Sequence, residues 1–467
     1  MWGSLIGVFL AALSTGYFLG GRLADRWPSA GRFAGVVFLA GVLVLLIPSV
    51  AARMLETIAV ADLGARAKPL VASFVLFFLP GTVLGMVSPY AVRLRARTVA
   101  TIGHVAGQLY ALSTAGSIVG TLLAAFVLLS YLDVDAIVYL LGSALVLLAV
   151  VAWGRASRQG LAAATAALAV VVGGTVLAGS HVLPAGVQFE RDTVYHRITV
   201  ADAGAVRYLK LDNYWQSAVD LAEPRRTVFA YTDYMHLPLI FHPTARRVLI
   251  IGLGGGTVPT RYAQDYPSMA VEVVELDPNV VAVAQRYFAQ PGSSRVHVTV
   301  QDGRLFLAQS RAHYDIVLLD AYLIDTIPFH LATREFWETV RAHLAPEGVV
   351  AWNIIGALSG PRSSLFRAMY KTVQSVFPTV YVFPVDWGRY GSSPNEMRNI
   401  IVIGSMQPVM LPAAVARAAA QVRAAQGVTI ERFEDVARDL YTSVIATQDV
   451  PVLSDDFAPV DTLMLRQ

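Results

Sequence analysis

The stretch Val248-Leu249-Ile250-Ile251-Gly252-Leu253-Gly254-Gly255-Gly256-Thr257 decides the reading of the C-terminal half. Four consecutive apolar residues leave no polar face, which marks a strand covered on both sides in a parallel sheet. The glycines that follow carry no side chains, so backbone N–H groups and the start of the next helix can approach a ligand closely. Outward from this stretch the pattern repeats. Strands expected at Val248–Ile251, Val271–Leu276, Val296–Val300, Ile316–Leu319 and Val349–Ile354 alternate with helices expected from Val258, Asn279 and Arg304 and over Thr333–Leu344. Alternating β and α units predict an α/β fold with a mostly parallel sheet, whose ligands bind at the carboxyl ends of the strands.

Those ends carry the chemistry. The first runs into Gly252, Gly254 and Gly256; the second ends in Glu275-Leu276-Asp277-Pro278; the third ends at Asp302-Gly303; the fourth ends at Asp320. Taken singly, each has a plain structural explanation. A glycine-rich turn is common, and Asp277 and Asp302 suit helix N-caps because their oxygens accept from free N–H groups. At consecutive strand ends they converge, and convergence predicts a nucleoside pocket. Glu275, 23 positions after Gly252, stands where a carboxylate can accept from both ribose hydroxyls. Thr257 occupies the position of the third glycine in the dinucleotide fingerprint, which favours an S-adenosyl compound over NAD.

Upstream, Val194–Ala201 and Ala205–Leu211 predict a β-hairpin, joined at Asp202-Ala203-Gly204 and followed by a short strand over Tyr214–Val219. A helix is expected over Thr227–Phe241. Downstream, Arg362–Val376 reads as helix, and Val380–Val385 with Asn399–Ile403 as an antiparallel edge pair. The loop Leu323–His330 can cover the pocket. The soluble half therefore divides into a small β domain, 184–226, and an α/β domain, 227–467.

Residues 1–183 differ in kind. The whole chain of 467 residues is 55% hydrophobic and 15% charged, against roughly 25% charged in soluble domains. The apolar residues gather in six stretches of spanning length: Ser4–Gly20, Phe33–Ala52, Leu70–Val87, Val105–Leu129, Val134–Trp153 and Leu161–Ser180. Each can cross ~30 Å of hydrocarbon as a helix, so a multi-span α-helical membrane bundle embedded in the lipid bilayer is expected. Small residues at Gly16 and Gly20, and at Ser113, Gly116, Ser117 and Gly120, predict close helix contacts. Ionisable groups are nearly absent from the spans, which favours an anchor over a transport path.

Through Leu183 there are 11 Lys+Arg against 5 Asp+Glu, a net +6; the remainder has 25 against 28, a net −3. The basic balance lies in membrane loops and gives no support to nucleic-acid binding. Odd loops hold eight basic residues and even loops three, which assigns the odd loops to the cytoplasm. Six crossings would then put the C-terminal half outside, whereas an S-adenosyl donor is expected in the cytoplasm; the side of the soluble half stays open. With no cysteine, disulfides, thiolate metal sites and cysteine nucleophiles are excluded. The nine histidines show no metal-ligand spacing, and no metal is expected.

From about Gln188 to Ser405 the chain resembles the spermidine synthase (polyamine aminopropyltransferase) family. The resemblance rests on Leu211-Asp212-Asn213-Tyr214-Trp215-Gln216, His236-Leu237-Pro238-Leu239, the glycine stretch, Glu275-Leu276-Asp277, Asp302-Gly303, Asp320 and Thr333-Arg334-Glu335-Phe336, in the family's order. With the preceding spans, the chain is similar to the membrane-fused spermidine synthase-like proteins of bacteria. Gly21-Arg22-Leu23-Ala24-Asp25-Arg26 resembles a loop signature of major-facilitator transporters. The resemblance implies a small β-hairpin domain ahead of a methyltransferase-like Rossmann domain, in a multi-pass protein of the bacterial inner membrane. It further implies an aminopropyl group moved from decarboxylated S-adenosylmethionine to putrescine or a related amine, and the possibility of a homo-oligomer. Gln216, Gly252, Gly254, Gly256, Glu275, Asp302 and Gly303 would line the donor site, and Asp320, Asp325 and Tyr231 would serve the transfer.

Two departures stand out. Gly255 replaces an acid of the family's glycine motif, and Leu323 stands where the family has the second acid of its loop, leaving Asp325 two positions on as the substitute. Two other functions fit the same pocket: a methyltransferase using S-adenosylmethionine itself, and a non-catalytic nucleoside-binding membrane or transport protein.

Overall fold

The computed structural model describes residues 2–60, 63–96, 98, 101–156, 185–212, 214–288, 295–322, 327–389, 393–426 and 428–465. Its contacts divide the chain into two compact units, Met1–Val182 and Leu183–Gln467.

Among the described residues of the first unit, five helices are long and apolar enough to cross a membrane: Gly3–Arg26, Ala30–Ala51, Ala67–Arg95, Ile102–Leu128 and Val134–Trp153. The expected segment Leu161–Ser180 lies outside the described residues. Gly16 and Gly20 do let backbones meet. A Cβ on Gly16 would stand 2.2 Å from the Thr82 carbonyl oxygen, and one on Gly20 would stand 2.5 Å from the Met86 Cα. Gly116 and Gly120 behave otherwise, since nothing lies within 4 Å of a Cβ built on either. Of the Gly21–Arg26 stretch, Asp25 accepts from Arg93 Nε at 3.1 Å, tying the ends of two helices that are distant in sequence.

The second unit begins with an antiparallel sheet of four strands in sequence order, β1 (Val187–Asp192), β2 (Arg197–Ala203), β3 (Val206–Leu211) and β4 (Tyr214–Asp220). Its inner residues Ile198, Val200, Leu209 and Leu211 pack on Val280, Val283 and Phe288. The hairpin and third strand are where the sequence put them. β1 was not expected, because its polar residues Gln188, Glu190 and Asp192 give it little apolar signal.

The second sheet has seven strands in the order β10-β11-β9-β8-β5-β6-β7. Here β5 is Arg247–Ile251, β6 Ala270–Glu275, β7 Val296–Val300, β8 Tyr314–Leu319, β9 Leu344–Gly356, β10 Thr379–Pro384 and β11 Arg398–Ser405. β5 to β9 are parallel, and β10 and β11 close one edge antiparallel. Along β5, Val248 and Ile250 enter one core layer while Leu249 and Ile251 enter the other; Ile316 and Leu318 of β8 oppose Val317 and Leu319 in the same way. Two apolar layers, one on each face, explain why these strands read as unbroken hydrophobic runs.

The helix expected over Thr227–Phe241 is instead two single turns, Tyr231–Tyr234 and Pro238–Phe241. Pro238 lacks the N–H that would continue the first turn, and it starts the second. The break leaves Tyr231 facing the strand ends described next.

Candidate active site

The chain leaves β5 toward β6 and β7, then returns across the sheet to β8 and β9, so β5 and β8 flank the point where the strand order reverses. Such a point opens a crevice at the carboxyl ends. The two ends touch: Asp320 N–H donates to the Ile251 carbonyl at 2.9 Å. Gly252 turns away at φ +98°, and a Cβ there would lie 2.2 Å from the Asp320 carbonyl oxygen. No residue with a side chain fits this junction. Gly254 and Gly256 also hold positive φ, 53° and 78°, and Gly256 caps the helix Thr257–Asp265.

A cleft over these ends is lined by Gln216, Tyr231, Gly252, Gly254, Glu275, Asp302, Gly303 and Asp320, together with His196, Tyr322 and His330. Ten residues were expected at the site by number. Eight line the cleft; Gly256 shapes the loop behind it; Asp325 lies outside the described residues.

Glu275 closes the end of β6. Its Oε2 accepts from Leu253 N–H at 2.9 Å and its Oε1 from Asp277 N–H at 3.0 Å. These bonds aim the carboxylate and anchor the glycine loop. Burial raises its pKa, against the lowering effect of the backbone donors. A carboxylate offers about four lone-pair sites, so acceptor capacity remains for a sugar hydroxyl.

Both structural readings of the aspartates hold. Asp277 caps the helix Pro278–Tyr287, accepting from Asn279 N–H at 2.8 Å, and it takes the Thr193 hydroxyl at 2.6 Å, fastening the small sheet to the large one. Asp302 caps the helix Gly303–Gln309, accepting from Leu305 N–H at 2.9 Å. Its other oxygen meets His330 Nε2 at 2.9 Å. Asp302 therefore caps a helix and lines the cleft at once.

His330 was missed by the sequence reading. It is held from behind: Arg304 donates to the His330 carbonyl at 3.0 Å and pairs with both oxygens of Asp455 at 2.7 and 2.5 Å. The Asp455 carboxyl lies below the usual range because of Arg304. The C-terminal segment Leu453–Asp461 thus braces His330 through Asp455 and Arg304.

Asp320 stands between two cavities. It lines the cleft just described and also a second cavity of about 560 Å³, and Gln216, Tyr231 and Tyr322 are shared in the same way. Asn353 Nδ2 donates to Asp320 Oδ1 at 2.9 Å, and Asn399 Nδ2 donates to Asn353 Oδ1 at 3.0 Å. Tyr322 donates to the Asn353 carbonyl at 2.8 Å. Burial raises the Asp320 pKa, while Asn353 and the Tyr231 hydroxyl partly offset this by bonding the ionised form. Burial and the nearby Asp320 charge push the Tyr231 phenol well above its ordinary value, which keeps it protonated as a donor. One carboxylate, fixed by neutral donors at the meeting of two cavities, can hold a cation and accept a proton.

Other motif residues serve the scaffold. His236 is buried, meets the Tyr266 hydroxyl at 2.9 Å and stacks on Tyr262; burial holds its pKa well below the ordinary value. Asp212 sits in the left-handed turn after β3 at φ 55° and accepts from Arg197 N–H at 3.0 Å. Thr333 caps the helix Arg334–Ala342. At Gly255, a Cβ would stand 2.8 Å from Ser217 Cβ and 3.0 Å from the Phe288 ring, so the family's acid has no room here.

Residues 228–387 match the spermine/spermidine synthase domain. The polyamine aminopropyltransferase of Vibrio vulnificus is 31% identical over 245 residues, 52% of this chain and 77% of that protein. The eEF1A lysine and N-terminal methyltransferase of Bos taurus is 28% identical over 171 residues, 34% of this chain and 24% of that protein. Among solved structures, a probable spermidine synthase from Corynebacterium glutamicum is 21% identical, with a TM-score of 0.43 over 58% of this chain and 100% of that one.

Proposed function

Because this chain belongs to the polyamine aminopropyltransferase family and is a transferase, we propose that it is a membrane-anchored enzyme moving the aminopropyl group of decarboxylated S-adenosylmethionine to a small amine. The observation that carries this reading is Asp320, shared by the cleft at the strand ends and a second cavity. In the first, Gly252, Gly254 and Gly303 give close backbone approach, Glu275 holds the ribose, and Asp302 with His330 faces the base. Gln216 bridges toward the sulfonium, whose positive charge makes its substituents electrophilic. In the second cavity the acceptor amine lies against Asp320.

Asp320 and Tyr231 orient the amine, and Asp320 takes the proton that nitrogen sheds as the new carbon–nitrogen bond forms. Charge drives the arrangement as well. An anionic oxygen fixed in a site shielded from water stabilises a neighbouring cation more strongly than it would in solvent. Asp325 is proposed as an additional acid of the covering loop. The domain assignment follows: residues 1–183 anchor, 184–226 form the small sheet over the cleft, and 227–467 hold the donor. With odd loops cytoplasmic, the catalytic half falls on the side where S-adenosyl donors occur provided that Leu161–Ser180 does not cross the bilayer. A reporter fused after Pro184 tests that side.

The methyltransferase relative supports a second reading, in which S-adenosylmethionine donates its methyl group within the same cleft. The two part on donor preference. Titration of the full chain in detergent with decarboxylated and intact S-adenosylmethionine should show tighter binding of the decarboxylated form. Tighter binding of the intact form would favour methyl transfer.

A further inference from the structure

Asp302 is held from two sides in the wall of the donor cleft. Its Oδ1 accepts from Leu305 N–H at 2.9 Å, within the cap of its own helix, and its Oδ2 meets His330 Nε2 at 2.9 Å. A carboxylate only accepts, so Nε2 carries the hydrogen of the second bond, and Oδ2 keeps a further lone pair. The cap is local to one turn of chain. The His330 contact is not: it spans 28 positions and comes from the single 3-10 turn Phe329–Leu331.

Arg304 keeps that turn in place. Its guanidinium donates to the His330 carbonyl at 3.0 Å and to the Thr333 hydroxyl at 3.3 Å, and it forks onto both oxygens of Asp455 at 2.7 and 2.5 Å. A forked pair fixes the plane of a guanidinium as well as its position. Asp455 is fixed in turn. Its N–H donates to Glu335 Oε2 at 3.0 Å, Arg334 N–H donates to the Leu453 carbonyl at 2.9 Å, and Ser454 and Phe457 exchange two backbone bonds at 3.0 Å. The turn Leu453–Phe457 is thereby clipped to the start of the helix Arg334–Ala342, and its one carboxylate reaches the cleft wall through Arg304 and His330.

A purine offers either a donor or an acceptor at its 6-position, an amino group in adenine and an oxo group in hypoxanthine. Against a carboxylate held still, the amino group finds an acceptor, whereas the oxo group meets lone pairs of like sign. Such a site discriminates because the wrong ligand leaves its polar group unpaired. A carboxylate free to swing aside would lose that discrimination. We propose that Arg304 and Asp455 are positioning residues that set the purine selectivity of the donor cleft, acting through His330 on Asp302. The proposal rests on the part of the reading above in which Asp302 and His330 face the base.

The test uses two nucleosides that differ in the base alone: 5′-methylthioadenosine, the thioether that remains when the donor gives up its aminopropyl group, and 5′-methylthioinosine. Each is titrated calorimetrically into the full chain in detergent, and the ratio of the two Kd values is the readout. The unaltered chain should favour the adenine compound by at least about 100-fold. Asp455→Asn keeps the size of the side chain but breaks the fork, and it should shrink the ratio by about tenfold through weaker binding of the adenine compound, the cost of one loosened bond to a charged group. General damage to the cleft would weaken both ligands alike and leave the ratio where it was. Asp455→Glu, which restores a carboxylate, should recover most of the selectivity. In a His330→Ala chain, Asp455→Asn should change the ratio no further, because its effect passes through His330. A ratio unchanged within about twofold in Asp455→Asn, or a shift that survives in His330→Ala, would overturn the proposal. Equal binding of both nucleosides by the unaltered chain would overturn it and leave the nucleoside cleft standing. Binding of neither would overturn the cleft reading and this proposal with it.

Discussion

Replacing Glu275 by alanine probes the donor cleft most sharply. Its two oxygens accept backbone N–H groups, among them Asp277 at 3.0 Å and Leu253 at 2.9 Å, and the remaining acceptor capacity is for the sugar. A hydrogen bond to a charged group contributes about 1.5–3 kcal/mol. The bonds to the sugar would be lost, but water can enter the truncated site and solvate both the freed N–H groups and the sugar. The net expectation is therefore about one bond's worth, 1.5–3 kcal/mol, or roughly 10- to 150-fold in Kd. Calorimetric titration of the full chain in detergent with decarboxylated S-adenosylmethionine reads this directly. Glu275→Gln keeps one acceptor oxygen and should fall between the two. If Glu275→Ala binds within about threefold of the unaltered chain while still folded, Glu275 does not hold the ribose.

Asp320→Asn should abolish transfer and weaken donor binding by less than Glu275→Ala does. Because the Asp320 pKa is raised, the rate of the unaltered enzyme should fall as pH drops through a value above the ordinary ~3.9, where the base becomes protonated. For stability the sign is the reverse of a salt bridge: with the folded pKa above the unfolded one, ionised Asp320 costs stability once pH exceeds the unfolded value. Asp320→Asn should thus raise Tm at pH 7 and not near pH 3, checked by melting at both. Gly252→Ala would place a methyl 2.2 Å from the Asp320 carbonyl at a φ of +98°; donor binding and Tm should both fall. Gly255→Asp restores the family's acid into a position crowded by Ser217 and Phe288, so a lowered Tm without gained putrescine turnover is expected.

The large sheet was legible because its signal is local: Leu249 and Val317 enter one layer, Val248 and Ile316 the other, and both facts appear in sequence as apolar runs closed by glycine or an acid. Glu275, Asp302 and Asp320 could be placed for the same reason, as each ends a strand. His330 and Asp455 could not. His330 lines the cleft from a loop and is tied to Asp455 through Arg304, a link across 151 positions, and no periodicity encodes it. β1 hid because an edge strand with alternating polar residues resembles a loop. The Thr227–Phe241 helix failed at Pro238, where a missing N–H outweighed the apolar pattern. The second cavity was invisible from sequence, since Phe229, Asn353, Met397 and Met464 converge from four separate segments.

The central claim is that Asp320 joins a nucleoside cleft to an amine cavity so that an aminopropyl group crosses between them. Mass spectrometry of the acceptor after incubation of the full chain with decarboxylated S-adenosylmethionine and a panel of amines tests it most directly. The account predicts an acceptor heavier by one aminopropyl group, equimolar 5′-methylthioadenosine, and neither product with Asp320→Ala. An unchanged acceptor, or product formed equally well without the Asp320 carboxylate, would contradict it.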